Sequence, residues 1–135
     1  MKYQKITKYK YKTSAIETIQ TNIKDQEFKH DFFILKENGL LVVNSGYLWD
    51  GLSGPTWDTK STMRAGLFHD ALYQAIRLKL IPFYVKPEVD LLFYNIMIED
   101  KVWKPRAKLF YKAVEEFGHN SCIPSDIHIP EVIEV

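Results

Sequence analysis

The chain contains one cysteine, Cys122. One thiol excludes an intramolecular disulfide framework and makes a reducing compartment the simplest home. There is no run of about 18 apolar residues, so no membrane-spanning helix is expected. The opening Met-Lys-Tyr-Gln-Lys is not followed by an apolar stretch, so no signal peptide is expected either. Charge of one sign is lacking too: the formal net charge is +1, and the chain as a whole gives no specific nucleic-acid signal. The local exception is the N-terminus, where Lys2, Lys5, Lys8, Lys10 and Lys12 fall close together. Alternating with tyrosines, they read as a solvated strand face. No Walker loop, dinucleotide fingerprint, CxxC or HExxH occurs, which removes the nucleotide and metal signatures that spacing alone can carry.

What remains is an ordinary globular composition. Apolar residues make up 46% and aromatics 14%, enough to pack a core. At 135 residues, 1–135 reads as one domain. Residues 1–47 read as strands. Tyr11 and Thr13 alternate with Lys10 and Lys12 at the period of two, and Asp31 to Leu35 and Leu40 to Val43 are apolar and β-prone. Between the latter two lies Glu37-Asn38-Gly39, where Asn-Gly favours a tight hairpin with positive φ at both residues. Residues 44–58 hold three of the six glycines and no helical period, so a long glycine-rich loop is expected.

The helical region covers about 60–118. A first helix is expected over 61–79, capped by Thr59 or Ser61, with Pro82 ending any continuation. A second starts near Pro87 and runs to about Asp100. A third starts at Pro105 and stops at Gly118, read as a left-handed C-terminal residue. The tail 119–135, with Pro124 and Pro130, reads as extended. Strands first and helices after imply an α+β fold: antiparallel N-terminal strands, then three helices, with the loop beside the first.

The chemistry concentrates in three stretches: Trp49-Asp50-Gly51-Leu52-Ser53-Gly54-Pro55, then His69-Asp70-Ala71-Leu72-Tyr73, then Asp90 to Phe93. On a helix His69 and Tyr73 share a face, while Asp70 points about 100° away. If the first two helices pack antiparallel, Asp90 meets His69 and Tyr73. A carboxylate accepting from imidazole and phenol would fix the histidine tautomer and leave its other nitrogen free as a base. The same residues equally make a buried network that only ties two helices together. Gly51 and Gly54 allow close backbone approach. Asp50, Ser53 and the loop carbonyls are candidates, with Asp70, for a divalent cation such as calcium. For Asp50 and Ser53 the plainer reading is local turn hydrogen bonds. Arg64 pairs with Asp58 or Asp50, or binds an anion; a surface ion pair is the plainer reading. His30, His119 and His128 have no ligand spacing, and Cys122 reads as a small packing residue.

The order and spacing of Asp50, Gly51, Ser53, Pro55, His69, Asp70, Tyr73, Asp90, Phe93, Phe117 and Gly118 resemble the pattern of a phage and prophage family of unknown function. The resemblance covers about residues 40 to 118 and implies a phage-encoded protein, in the host cytoplasm or in the phage particle. More loosely, the site is similar to that of phospholipases A2. That likeness implies His69 as the base that activates water, Asp70 with loop carbonyls as calcium ligands, Asp90 as the group orienting His69, and Tyr73 as its second support. The flanking disulfide cysteines of that family are absent, Leu52 and Ser53 interrupt the loop glycines, Pro55 lies further from His69 than that family places it, and an N-terminal β region is foreign to it. Three functions are therefore open. One is a hydrolase acting on an ester or phosphodiester of small-molecule, nucleotide or lipid-like kind. The second is a non-catalytic structural or binding protein. The third is a host-directed effector that captures a small anionic ligand with the loop and Arg64.

Overall fold

A computed structural model of the chain describes residues 3–5, 11–49 and 60–122. The expected α+β order holds. Among the described residues, seven short strands form two antiparallel sheets, and helices follow. Strands β1 (Tyr3–Lys5), β2 (Tyr11–Thr13) and β7 (Leu48–Trp49) make one sheet in the order β1-β2-β7. Strands β3 (Glu17–Gln20), β4 (Phe28–Lys29), β5 (Phe33–Leu35) and β6 (Leu40–Val43) make the other, in the order β3-β6-β5-β4.

The β5–β6 hairpin follows from its side-chain alternation. Phe33 opposes Val43 and Leu35 opposes Leu41, and all four are buried on one face. The turn between them differs from the expected two-residue form. Only Gly39 takes positive φ, at +93°, and Asn38 does not. The Gly39 N–H donates to the Lys36 carbonyl and the Lys36 N–H to the Leu40 carbonyl, so this is a longer loop closed by one left-handed residue. Gly39 also lies so close to the Thr21 carbonyl that a Cβ would stand 2.7 Å from it.

The expected loop over 44–58 begins with order instead. Thr13 organises it. Its hydroxyl donates to the Asn44 carbonyl at 2.8 Å and accepts from the Tyr47 N–H at 3.0 Å. The chain is thereby turned back to pair Trp49 with Tyr11 in β7. A buried threonine hydroxyl satisfies backbone groups that a glycine-rich composition alone would leave to water. Residues 50–59, including the rest of that loop and the Thr59 cap, lie outside the described residues.

Helix α1 (Lys60–Arg77) is the centre of the molecule. Met63, Ala65, Leu67, Phe68, Ala71, Leu72, Ala75 and Ile76 are all buried, so it is wrapped on nearly every side. Ser61 falls inside the helix rather than at its cap. The helix also ends before Pro82 acts. The Leu80 N–H donates to the Ala75 carbonyl and the Lys79 N–H to the Ile76 carbonyl, with Lys79 left-handed at φ 62°. This pair of bonds closes a helix in a Schellman motif, here with lysine where glycine is usual. A 3-10 turn (Phe83–Val85) leads into α2 (Lys86–Glu99), and α3 (Lys104–Phe117) follows. Pro87 and Pro105 stand in their first turns, where a missing N–H costs nothing. Helix α2 packs on both α1 and α3.

Two expectations at the C-terminal end are corrected. Gly118 is right-handed (φ −75°, ψ −9°), not left-handed. Over 119–122 the chain is not extended, for His119–Cys122 forms a single helical turn, α4, that packs on α1 and α3, while 123–135 lie outside the described residues. Cys122 is buried in that turn.

Candidate active site

His69 and Tyr73 stand one turn apart on the buried face of α1, their ring centroids 3.9 Å apart. Phe93 of α2 closes the other side of the imidazole, 4.6 Å between centroids. Asp90, one turn before Phe93, is 1% exposed. Its Oδ1 lies 3.0 Å from His69 Nε2 and accepts the Tyr73 hydroxyl at 2.5 Å. The expected meeting of His69, Tyr73 and Asp90 is therefore present.

The structure adds a fourth member. Lys86, also buried, donates from Nζ to Asp90 Oδ2 at 2.7 Å. It donates as well to the main-chain carbonyls of Val114 at 3.0 Å and Glu115 at 3.4 Å. These carbonyls lie in the last turn of α3, where Val114 O also accepts the Gly118 N–H and where a cation opposes the helix dipole. One carboxylate thus gathers donors from α1 and α2, and its lysine reaches α3. The signal for Lys86 was in the sequence, four residues before Asp90. A lysine is so rarely buried that spacing alone did not single it out.

Gly118, expected as a left-handed helix end, has another role here. It lies against Tyr73, and a Cβ there would run into the Tyr73 hydroxyl and the Val114 carbonyl. The glycine serves close packing on the site, not a left-handed turn.

The electrostatics follow from burial and pairing. Burial pushes the Asp90 carboxyl upward, but hydrogen bonds from His69, Lys86 and Tyr73 outweigh it and hold the group below its usual range. An ionised carboxylate only accepts, so His69 must carry its proton on Nε2 and present a bare Nδ1. Burial lowers the His69 pKa below 6.5 against the pull of Asp90. Lys86 already compensates the carboxylate, so a second positive charge gains little there. Burial and the Asp90 bond push the Tyr73 hydroxyl well above its usual value, which keeps it a donor. Burial also raises the Cys122 thiol, to about 12, in keeping with a packing residue.

The other candidates fare differently. Arg64 is spent on α2: it reaches Glu99 at 3.0 Å and Asp100 at 2.8 Å. This is an ion pair of the kind expected of it; the expected partners Asp58 and Asp50 lie outside the described residues. Asp70 is half-buried on α1, one residue round from His69. Asp50, Gly51, Ser53 and Gly54 lie outside the described residues, as do Asp58 and His128. Among the described residues, no three His, Cys, Asp or Glu side chains converge closely enough to hold a metal ion. No described helix is long and apolar enough to cross a membrane. His30 stacks on Phe33 and His119 contacts Phe83.

No protein-family model, no curated protein and no solved structure matches this chain.

Proposed function

We propose that the protein is a phage-encoded hydrolase of an ester or phosphodiester, with His69 as general base. The observation that carries this is the double use of Asp90 Oδ1, which takes both His69 Nε2 and the Tyr73 hydroxyl. That arrangement fixes one tautomer and directs Nδ1 to act. In the reaction Nδ1 takes a proton from water as the water oxygen bonds to the carbonyl carbon or phosphorus. Asp90 stabilises the imidazolium that results. The proton then passes from Nδ1 to the departing alkoxide as its bond breaks. A histidine that is neutral at pH 7 suits the first step. The order Asp50-Gly51, His69-Asp70, Tyr73 and Asp90 supports the phage origin through the family it resembles. Calcium takes about six to eight oxygen ligands. Asp70 would supply one carboxylate to such an ion, and Asp50 lies outside the described residues.

A scaffold reading has its own observation. His69, Tyr73, Asp90 and Lys86 are at most 8% exposed, and Lys86 ties the cluster to α3. A sealed network of this kind rigidifies three helices without turning anything over.

The test is a screen of carboxylic esters and phosphodiesters, with and without calcium, on the purified chain and on His69→Gln. Hydrolysis that falls at least a hundredfold in a folded His69→Gln supports the proposal. Retained turnover in that variant removes His69 from the mechanism, and no turnover of any ester by the parent chain leaves the scaffold reading.

A further inference from the structure

Residues 101–116 contain five cationic side chains, all at or before Lys112, and two carboxylates, Glu115 and Glu116, in a chain whose net charge is +1. The structure puts most of this charge on one exterior surface. Lys104, Lys108 and Lys112 follow one another at four-residue steps along the exposed side of α3. Lys101 is exposed just before the helix. The two acids that precede this stretch, Glu99 and Asp100, are both engaged by Arg64. They do little to offset the lysines, and the exposed Glu115 and Glu116 lie one turn beyond Lys112, so the excess positive charge sits at the Lys101–Lys112 end of this face.

Apolar side chains stand among these cations. Trp103, the residue that starts α3, is 74% exposed, and Leu109, between Lys108 and Lys112, is 61% exposed. On α2, Leu91 and Ile98 are also exposed, two turns apart. The ring contact between Tyr94 and Tyr111, 5.6 Å between centroids, joins the two helices. Exposing a tryptophan and a leucine inside a lysine field costs solvation free energy that folding does not recover.

We infer that this α2–α3 face docks on an anionic lipid bilayer. The lysines complement the negative surface, with their stems along the apolar layer and ammonium groups at the headgroups. Trp103 and Leu109 enter the interface, where tryptophan is favoured for its apolar body and polar N–H. A nucleic-acid backbone would satisfy the lysines equally but gives Leu109, Leu91 and Ile98 nothing to bury against. Base stacking would use Trp103 alone. The inference is independent of the role of His69, because no residue of that cluster lies on this face.

The experiment is co-sedimentation of the full chain with vesicles of phosphatidylcholine alone and of phosphatidylcholine with about a third phosphatidylserine. The chain is expected to sediment with the serine-containing vesicles, to release as salt rises, and to leave the neutral vesicles unbound. Changing Lys104, Lys108 and Lys112 together to Gln should weaken binding on the order of a hundredfold. Trp103→Ala should weaken it on the order of tenfold, even where the lysines are intact. All four side chains are exposed, and circular dichroism of each variant verifies the fold. Equal binding of the Gln variant, or no binding to serine-containing vesicles, overturns the proposal. So does tighter binding to a labelled DNA or RNA oligonucleotide than to the vesicles with loss in the same variants, which assigns the face to nucleic acid.

Discussion

Gly118 lies against the hydroxyl of Tyr73, and the Val114 carbonyl would be 2.5 Å from a Cβ at that position. Neither neighbour yields easily. Tyr73 is fixed by its bond to Asp90, and Val114 O accepts from Lys86. Gly118→Ala should therefore destabilise the protein by about 1–3 kcal/mol through overpacking. Thermal unfolding followed by circular dichroism measures it. An unchanged melting temperature would mean that α4 moves aside without disturbing Tyr73.

Lys86→Met keeps the length of the side chain and removes its charge. Asp90 would then be a buried carboxylate with only neutral donors, and the last carbonyls of α3 would lose a partner. Breaking a buried pair on one side costs about 3–5 kcal/mol. The same change should raise the His69 pKa, because the nearby lysine charge now lowers it. Imidazole C–H shifts followed by NMR across pH test this. A His69 titration that stays in place would show that the ammonium is not felt at the ring.

The contrast between what the sequence revealed and what it hid has a physical basis. His69, Tyr73 and Asp90 were legible because helical spacing sets shared faces and a buried histidine needs a partner. Pro87 and Pro105 marked helix starts because a missing N–H is tolerated only there. Lys86 was hidden because its burial depends on carbonyls of α3, distant in sequence. Gly118 was misread for a related reason, since local chemistry offers the left-handed conformation and only the tertiary packing of Tyr73 explains the glycine. The Schellman end at Lys79 carries no glycine, nor does the end of α2, where Lys101 is left-handed and the Val102 N–H donates to the Met97 carbonyl, so composition could not mark them. Thr13 gave no hint that it would order residues 44–47, because the bonds that do so span the sheet.

Stability should fall in two steps as the solution is acidified. His69 is held below the usual 6.5 by burial, so the unfolded chain binds its proton first. The stability of the neutral, buried ring is present above pH 6.5 and declines as pH falls below it. Asp90 is held below the usual 3.8 despite burial, by its three donors. Its contribution is present above pH 3.8 and is lost as pH falls through its lower native value. Both act in one direction. Urea unfolding at pH 7.5, 5.5 and 3.5 should give successively lower midpoints, on the reasoning that protons favour the unfolded chain at each step. For His69→Gln the first step should shrink, while an unchanged first step would assign it to another group.

Asp90→Asn distinguishes catalysis from scaffolding. The amide keeps the shape of the carboxylate, and its oxygen can still accept from His69 and Tyr73. Its N–H₂ then faces Lys86 Nζ, donor against donor, at a position now 2.7 Å away. The lysine keeps its charge in a buried site without a counterion, so the loss should be about 3–5 kcal/mol in either reading. Activity separates them. In a working site Asn cannot stabilise the imidazolium, and turnover should fall by orders of magnitude in protein that is still folded, as it does about ten-thousandfold in a Ser-His-Asp triad. The assay is therefore run well below the variant's melting temperature, with the folded fraction measured in the same sample. A drop in turnover that merely follows the folded fraction would assign Asp90 to holding the helices together. A drop far beyond it, with the acid limb of the pH profile altered, would assign Asp90 to the charge that develops on His69.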